Sequence, residues 1–149
     1  MMPRIRDELD LRIVGFALAV EDLGRAIAWW RDVLGFDLIS RARVDAVNAE
    51  AAIVRGAGIE IELLEAPGRY RIEALFADPP EHLQPVGNKA LVFETADLAG
   101  LTAELENRGV TFVWKSVDLG PAIGVGTAIR DGEGNLISFI QKIPQVAGQ

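Results

Sequence analysis

The sequence predicts an α+β fold: two tandem βαβββ modules whose curved mixed sheets enclose a shared cavity. Three observations carry the prediction. The chain nearly repeats itself at a spacing of about 75 residues. Each copy runs strand, capping aspartate, amphipathic helix, glycine stop and new strand: Gly15 to Phe36 in the first, Asn88 to Val110 in the second. Between them, Pro67, Gly68, Pro79, Pro80 and Pro85 break all periodicity. The 149 residues therefore divide into module 1 at about 11–65, a linker at 66–87 and module 2 at about 88–143, together one domain at 1–149.

The elements follow in order. Leu11 to Ala19 is rich in apolar residues over a strand's length. Asp22 stands at an N-cap, ahead of Leu23, Ile27, Trp30 and Val33-Leu34 at helical spacing. Gly35 supplies the left-handed stop. Phe36 to Val44 reads as a strand, and Ala51–Arg55 with Ile59–Glu65 as a hairpin. The linker carries a short helical turn near Ile72 to Phe76. Asn88 to Glu94 is the next strand. Asp97 caps Leu98 to Asn107, with Leu98, Leu101 and Leu105 as the buried stripe. Val110 to Trp114 is a short strand. Gly120, Gly124 and Gly126 give a mobile flap. Val125–Arg130 and Leu136–Gln141 form the last hairpin, and the tail after Pro144 frays.

Alternation along a strand assigns the faces. Phe16, Leu18 and Val20 should face the first helix, as should Ile59, Ile61 and Leu63. The cavity side should carry Ile13, Gly15 and Ala17, then Glu60, Glu62 and Leu64. In module 2 it should carry Asn88, Ala90 and Val92, then Leu136, Ser138 and Ile140.

Composition excludes several functions. Half the residues are hydrophobic, and 22 acidic residues outweigh 15 basic ones for a net charge of −7. Nucleic acid and anionic membranes need clustered Lys and Arg, so neither is expected as a partner. The absence of cysteine removes disulfides, thiolate metal sites and a cysteine nucleophile. Met1 to Arg12 lacks the apolar core of a signal peptide, and no apolar run approaches the roughly 18 residues of a membrane span. A cytoplasmic protein is expected.

The segments Val20-Glu21-Asp22-Leu23 and Trp29-Trp30-Arg31-Asp32-Val33-Leu34-Gly35-Phe36 resemble a signature of the vicinal oxygen chelate superfamily. That superfamily includes glyoxalase I, extradiol dioxygenases, methylmalonyl-CoA epimerase, and fosfomycin and bleomycin resistance proteins. Trp29-Trp30 replaces the family's Phe-Tyr. Asp131-Gly132-Glu133-Gly134-Asn135 is similar to its "DPdGn" turn, with Gly132 in place of Pro. The resemblance spans nearly all of Leu11 to Ile143. It implies a cavity for a small organic molecule and a homodimer.

Metal-dependent members place a His or Gln in the first strand, a Glu or His in the fourth, a His in the fifth and a Glu in the eighth. By resemblance these positions fall on Gly15, Glu62, Asn88 and Ser138. One strong donor of four does not make a transition-metal site. No metal and no other cofactor is therefore expected. His82, the single histidine, lies in the linker as a packing residue or a recruited acid or base.

Glu62 is then free to act as general acid or base, or to bind a ligand ammonium or hydroxyl. Otherwise it is salt-bridged to Arg41, Arg43 or Arg55, or forms a carboxylate pair with Glu60. Asn88 and Ser138 offer neutral hydrogen bonds. Trp114 packs or stacks on a ligand, and Leu64, Val92 and Ile140 form apolar wall. Trp29 and Trp30 serve the core or a dimer contact. Arg55, Lys115 and Arg130 bind an anionic ligand or simply end strands in solvent.

Three readings remain open on fold alone. The first is a metal-independent binding protein for a small, mostly apolar ligand, similar to resistance proteins. The second is a metal-free isomerase, lyase or cyclase using Glu62. The third is a metal-dependent glyoxalase or dioxygenase with shifted ligands.

Overall fold

The computed structural model describes residues 2 and 4–143. The chain divides into two compact units, Met1–Arg69 and Tyr70–Gln149, and each is described by itself.

Unit 1 opens with a one-turn helix α1 (Ile5–Glu8) that the sequence pattern does not announce. It continues through β1 (Gly15–Ala19), α2 (Leu23–Leu34), β2 (Asp37–Val44), β3 (Ala49–Gly56) and β4 (Ile59–Glu65). The strands form one mixed sheet in the order β1-β4-β3-β2, with β1 parallel to β4 and the other pairs antiparallel. The N-cap expected at Asp22 is present: its carboxylate accepts the Arg25 N–H at 2.9 Å. Gly35 closes the helix at φ 73°, where a β-carbon would be strained. Leu23, Ala26, Ile27 and Trp30 form the buried stripe. They meet Val54, Ile61 and Leu63, which are fully buried on the sheet. Burial of each such aliphatic side chain contributes about 1.5–3 kcal/mol. The Trp30 ring packs 5.0 Å from Phe36 and 5.3 Å from Trp29; Trp30 is buried in the core of this module and Trp29 is half-buried beside it.

Phe16 takes the face of its partner Ile61, as expected, but stays partly open there, 39% exposed. The helix packs on β2, β3 and β4, and β1 lies at the sheet edge beyond it.

Unit 2 repeats the plan with β5 (Ala90–Glu94), α3 (Leu98–Asn107), β6 (Thr111–Asp118), β7 (Val125–Arg130) and β8 (Leu136–Gln141), ordered β5-β8-β7-β6. Here β5 is parallel to β8 and the remaining pairs are antiparallel. Asp97 caps α3 by accepting the Gly100 N–H at 2.9 Å. The buried stripe is Leu98, Thr102 and Leu105, not Leu101. Thr102 takes the core position because its hydroxyl has a partner there: Thr127 Oγ1 lies 2.8 Å away and also accepts the Ser116 N–H. The strand expected to end at Trp114 runs on to Asp118. The glycine-rich connection after it is closed by hydrogen bonds. Leu119 donates to the Gly124 carbonyl, Gly124 to Gly120, and Gly120 to the Asp118 carboxylate.

Residues 70–89 are built onto unit 2. Two 3-10 turns, Glu73–Phe76 and Glu81–Leu83, interrupt them. Arg71 donates to the Glu133 carbonyl at 2.7 Å and covers the Phe76 ring at 3.7 Å. Arg130 donates to the carbonyls of Gly134 and Ala77. His82 is 7% exposed, which supports the packing reading.

The same tie recurs in both units. The last residue of the strand beside the edge strand reaches the first N–H of the helix. Glu65 Oε2 accepts the Leu23 N–H at 2.7 Å, and Gln141 Oε1 accepts the Leu98 N–H at 2.8 Å. Each satisfies a helix donor that the capping aspartate does not reach. Replacing Glu65 or Gln141 by Ala should lower unfolding free energy by about 1–2 kcal/mol. Glu65→Gln should recover most of that loss, and urea denaturation of the three variants checks it.

Asp131 organises the turn between β7 and β8. It is 8% exposed. Its Oδ1 accepts the Glu133 and Asn135 N–H groups and its Oδ2 the Asn135 amide. Burial outweighs these bonds and raises its pKa. A raised folded pKa means that protonation favours the folded state. The advantage is full below the unfolded value of about 3.9 and is lost as pH rises through the folded value. Wild-type stability relative to Asp131→Asn should therefore fall across that window and stay flat above it, as read by urea denaturation at stepped pH.

Candidate functional site

Strand register builds the site on the face of unit 1 opposite α2. In β1, Gly15 and Ala17 pair with Glu60 and Glu62 of β4. In β3, Arg55 and Ile53 stand opposite the same two glutamates. Asp37 of β2 stands opposite Arg55. Directly opposed residues share a face, so two rows cross the sheet. One is Gly15–Glu60–Arg55–Asp37, and the other sets Glu62 between Ala17 and Ile53.

The two glutamates differ in their partners. Arg55 donates to Glu60 Oε1 through Nη2 at 2.6 Å and Nε at 3.2 Å. Arg43 is taken by Asp45 and Glu50. Arg41 stands opposite Ala52 of β3, which belongs to the helix-facing set. Glu62 has no hydrogen bond or ion pair among the described residues. The alternative that tied it to Arg41, Arg43 or Arg55 is corrected: the arginine pairs with Glu60, its direct cross-strand neighbour. Glu60 is thus engaged by Arg55, while Glu62 lines the same cleft beside it. Glu62 sits half-buried in a cleft of about 220 Å³ walled by Val14, Ala17, Ile53 and Glu60. A second cleft of about 520 Å³ shares Val14 and Glu60 and reaches Ile13, Asp37, Arg55 and Ile59. Leu64 follows on the same face, half-buried and paired with Ala19 and Ala51.

Unit 2 brings a second set together. Val92, Ser138, Ala128 and Trp114 form one cross-strand row. Ser138 is buried, whereas Val92 is 60% exposed. The indole Nε1 of Trp114 is buried with no hydrogen-bond partner among the described residues. Ile140 lies on the next row, opposite Glu94 and Gly126. Asn88 does not join: it is exposed and lies two residues before β5, outside the ladder.

The donor set inherited from metal-dependent relatives does not fit a metal. Gly15 has no side chain, and a β-carbon built there would stand 1.5 Å from the Glu60 carbonyl oxygen. No residue with a side chain enters that position without displacing the β1–β4 pairing. Among the described residues, no three His, Cys, Asp or Glu side chains group as metal ligands.

Sequence reasoning placed Ala17 on the cavity side but passed over Ile53 and Asp37 as site residues and left Arg55 without a fixed partner. The signal was the pairing of β3 with β4, since a register change of one residue would have placed Arg55 on the other face. Arg130, read as an anion binder or a solvent-exposed strand end, is neither. Its guanidinium is spent on main-chain carbonyls.

No helix among the described residues is long and apolar enough to cross a membrane. No curated protein sequence matches the chain. Solved structures do. A glyoxylase/bleomycin resistance protein/dioxygenase domain from Frankia sp. EAN1pec superposes with a TM-score of 0.68 at 22% identity, covering 93% of this chain and 95% of that one. TnmS3, an antibiotic binding protein from Streptomyces sp. CB03234, gives 0.60 at 21% identity over 89% and 98%. The fosfomycin resistance protein FosX from Listeria monocytogenes gives 0.63 at 13% identity over 89% and 94%. At these identities the likeness shows the fold alone. The family model spans residues 12–139, nearly the whole of the repeated βαβββ plan, and the chain belongs to the glyoxalase/bleomycin resistance protein/dioxygenase superfamily.

Proposed function

We propose that this chain is a cytoplasmic, homodimeric, metal-independent binding protein that holds a small, mostly apolar organic molecule against the Glu62 face. One observation carries the proposal: an unpaired carboxylate stands on an otherwise apolar stretch of sheet, between Ala17 and Ile53, in an open cleft. Such a surface suits a ligand with one polar group on an apolar body. TnmS3, described as an antibiotic binding protein, supports binding as a role for the fold. Glu60 and Leu64 flank Glu62 on unit 1, and unit 2, taken by itself, offers Ser138, Trp114, Val92 and Ile140 as a second proposed ligand surface.

The same unpaired carboxylate favours a second reading, a metal-free isomerase, lyase or cyclase. Glu62 has no counter-ion to break before it exchanges a proton with a bound substrate.

Glu62→Gln separates the two. For a panel of neutral aromatic and polyketide-like compounds followed by tryptophan fluorescence, a binding protein should keep its affinity within about threefold, less than one charged hydrogen bond is worth. An enzyme should still bind but lose turnover by at least about a hundredfold. Loss of binding to every neutral compound would sink both readings.

Metal analysis tests the remaining part. Purified protein incubated with Zn²⁺, Ni²⁺, Fe²⁺ or Mn²⁺ and desalted should retain less than about a tenth of an equivalent, given the donor set. Near-stoichiometric retention lost in Glu62→Gln would restore the metal-dependent reading.

A further inference from the structure

We propose that the Glu62 cleft selects a cation, a protonated amine on an apolar body, and that the Arg55–Glu60 pair sets this preference. The proposal rests on the binding role argued above and names the class of ligand.

The charge inventory of the face leads to it. The two adjoining clefts expose three carboxylates, Asp37, Glu60 and Glu62, and one guanidinium, Arg55. Arg55 is the cation that an anionic ligand would seek. It is already held by Glu60 through two nitrogens, at 2.6 and 3.2 Å, and Asp37 stands opposite its other side. A ligand carboxylate reaching the remaining N–H groups of Arg55 would meet a guanidinium already neutralised by Glu60 and would approach Asp37, which disfavours it. Glu62 differs. It has no partner among the described residues, and Ala17 and Ile53 on either side carry no donor. A ligand ammonium there gains a charge-assisted hydrogen bond without breaking an existing one. The apolar walls, Val14 and Ile53 around Glu62 and Ile13 and Ile59 beyond, accept the rest of the molecule. The chain's net charge of −7 steers cations toward the protein from a distance.

The pair thus acts as a sign selector. Glu60 cancels Arg55, and the free charge left beside the apolar wall is that of Glu62. Removing Glu60, which holds Arg55, together with Asp37 opposite it should strengthen carboxylate binding.

Three probes of matched shape test this on the full chain: 1-naphthylmethylamine, 1-naphthalenemethanol and 1-naphthaleneacetate, titrated by calorimetry at neutral pH and low salt. The amine should bind about tenfold tighter than the alcohol, a difference of about 1.4 kcal/mol, and the carboxylate weakest of the three. Salt should erode amine affinity and leave alcohol affinity unchanged. Glu62→Gln should bring the amine down to the alcohol. The double variant Glu60→Gln/Asp37→Asn, which frees Arg55, should make the carboxylate bind better than in wild type. Equal binding of amine and alcohol in wild type overturns charge selection and leaves the binding role standing. Failure of all three probes to bind overturns both. Unchanged carboxylate affinity in the double variant overturns the part assigned to Arg55, and the wild-type salt series stands as a check that no variant needs to fold to supply.

Discussion

The parallel pairing of each module's first strand with its fourth is the constraint on which the rest of the structure depends. A parallel partner cannot be reached by a hairpin, so the chain must cross over through a helix. That crossover places α2 on one face of the sheet and leaves the other free. It also inserts β4 between β1 and β3, so a residue on β4 meets neighbours far apart in sequence. Glu62 stands between Ala17 and Ile53 for this reason. The same topology puts Ser138 between Val92 and Ala128. One architecture thus presents two different groups at equivalent positions, a carboxylate in one module and a hydroxyl in the other.

The helices are fastened at the same end by the same device, with different chemistry. Asp22 and Asp97 each take the third N–H of their helix, and Glu65 and Gln141 each take the first. In unit 1 the second acceptor is charged and adds to the favourable interaction with the helix dipole; in unit 2 it is neutral. Because each tie comes from the end of a central strand, it holds the helix to the sheet as well as ending it. Unit 2 adds the buried Thr102–Thr127 contact between α3 and β7. Unit 1 relies on Trp30 and the fully buried aliphatic side chains beneath it.

Arg55 and Arg130 show how a cross-strand neighbour decides what a side chain does. Both stand on the third strand of their sheet, opposite the fourth: Arg55 faces Glu60 and Arg130 faces Leu136. With a carboxylate opposite, Arg55 forms an ion pair on the sheet face. With a leucine rather than a carboxylate opposite on β8, Arg130 donates to the carbonyls of Gly134 and Ala77. It thereby holds the start of unit 2 against the last turn. The stretch that reads as a linker is consequently part of that unit's packing.

Much of this was legible in the residues alone. Capping aspartates, glycine stops, the near-repeat and strand alternation act over a few positions, so they place the α+β plan, α3 from Leu98 to Asn107, and the buried Ile61 and Leu63 without knowledge of long-range contacts. The same local signals put Glu62 on the face away from the helix. They do not report what lies across a strand. That Arg55 pairs with Glu60 rather than Glu62, that Thr102 displaces Leu101 from the core, that Asn88 stays outside the ladder and that Phe16 is left open at the sheet edge each depends on partners many residues away. Local periodicity determined which face each side chain takes; register and the path of the helix over the sheet, which only the tertiary structure decided, determined which neighbours it meets there and therefore which charge is left free to bind.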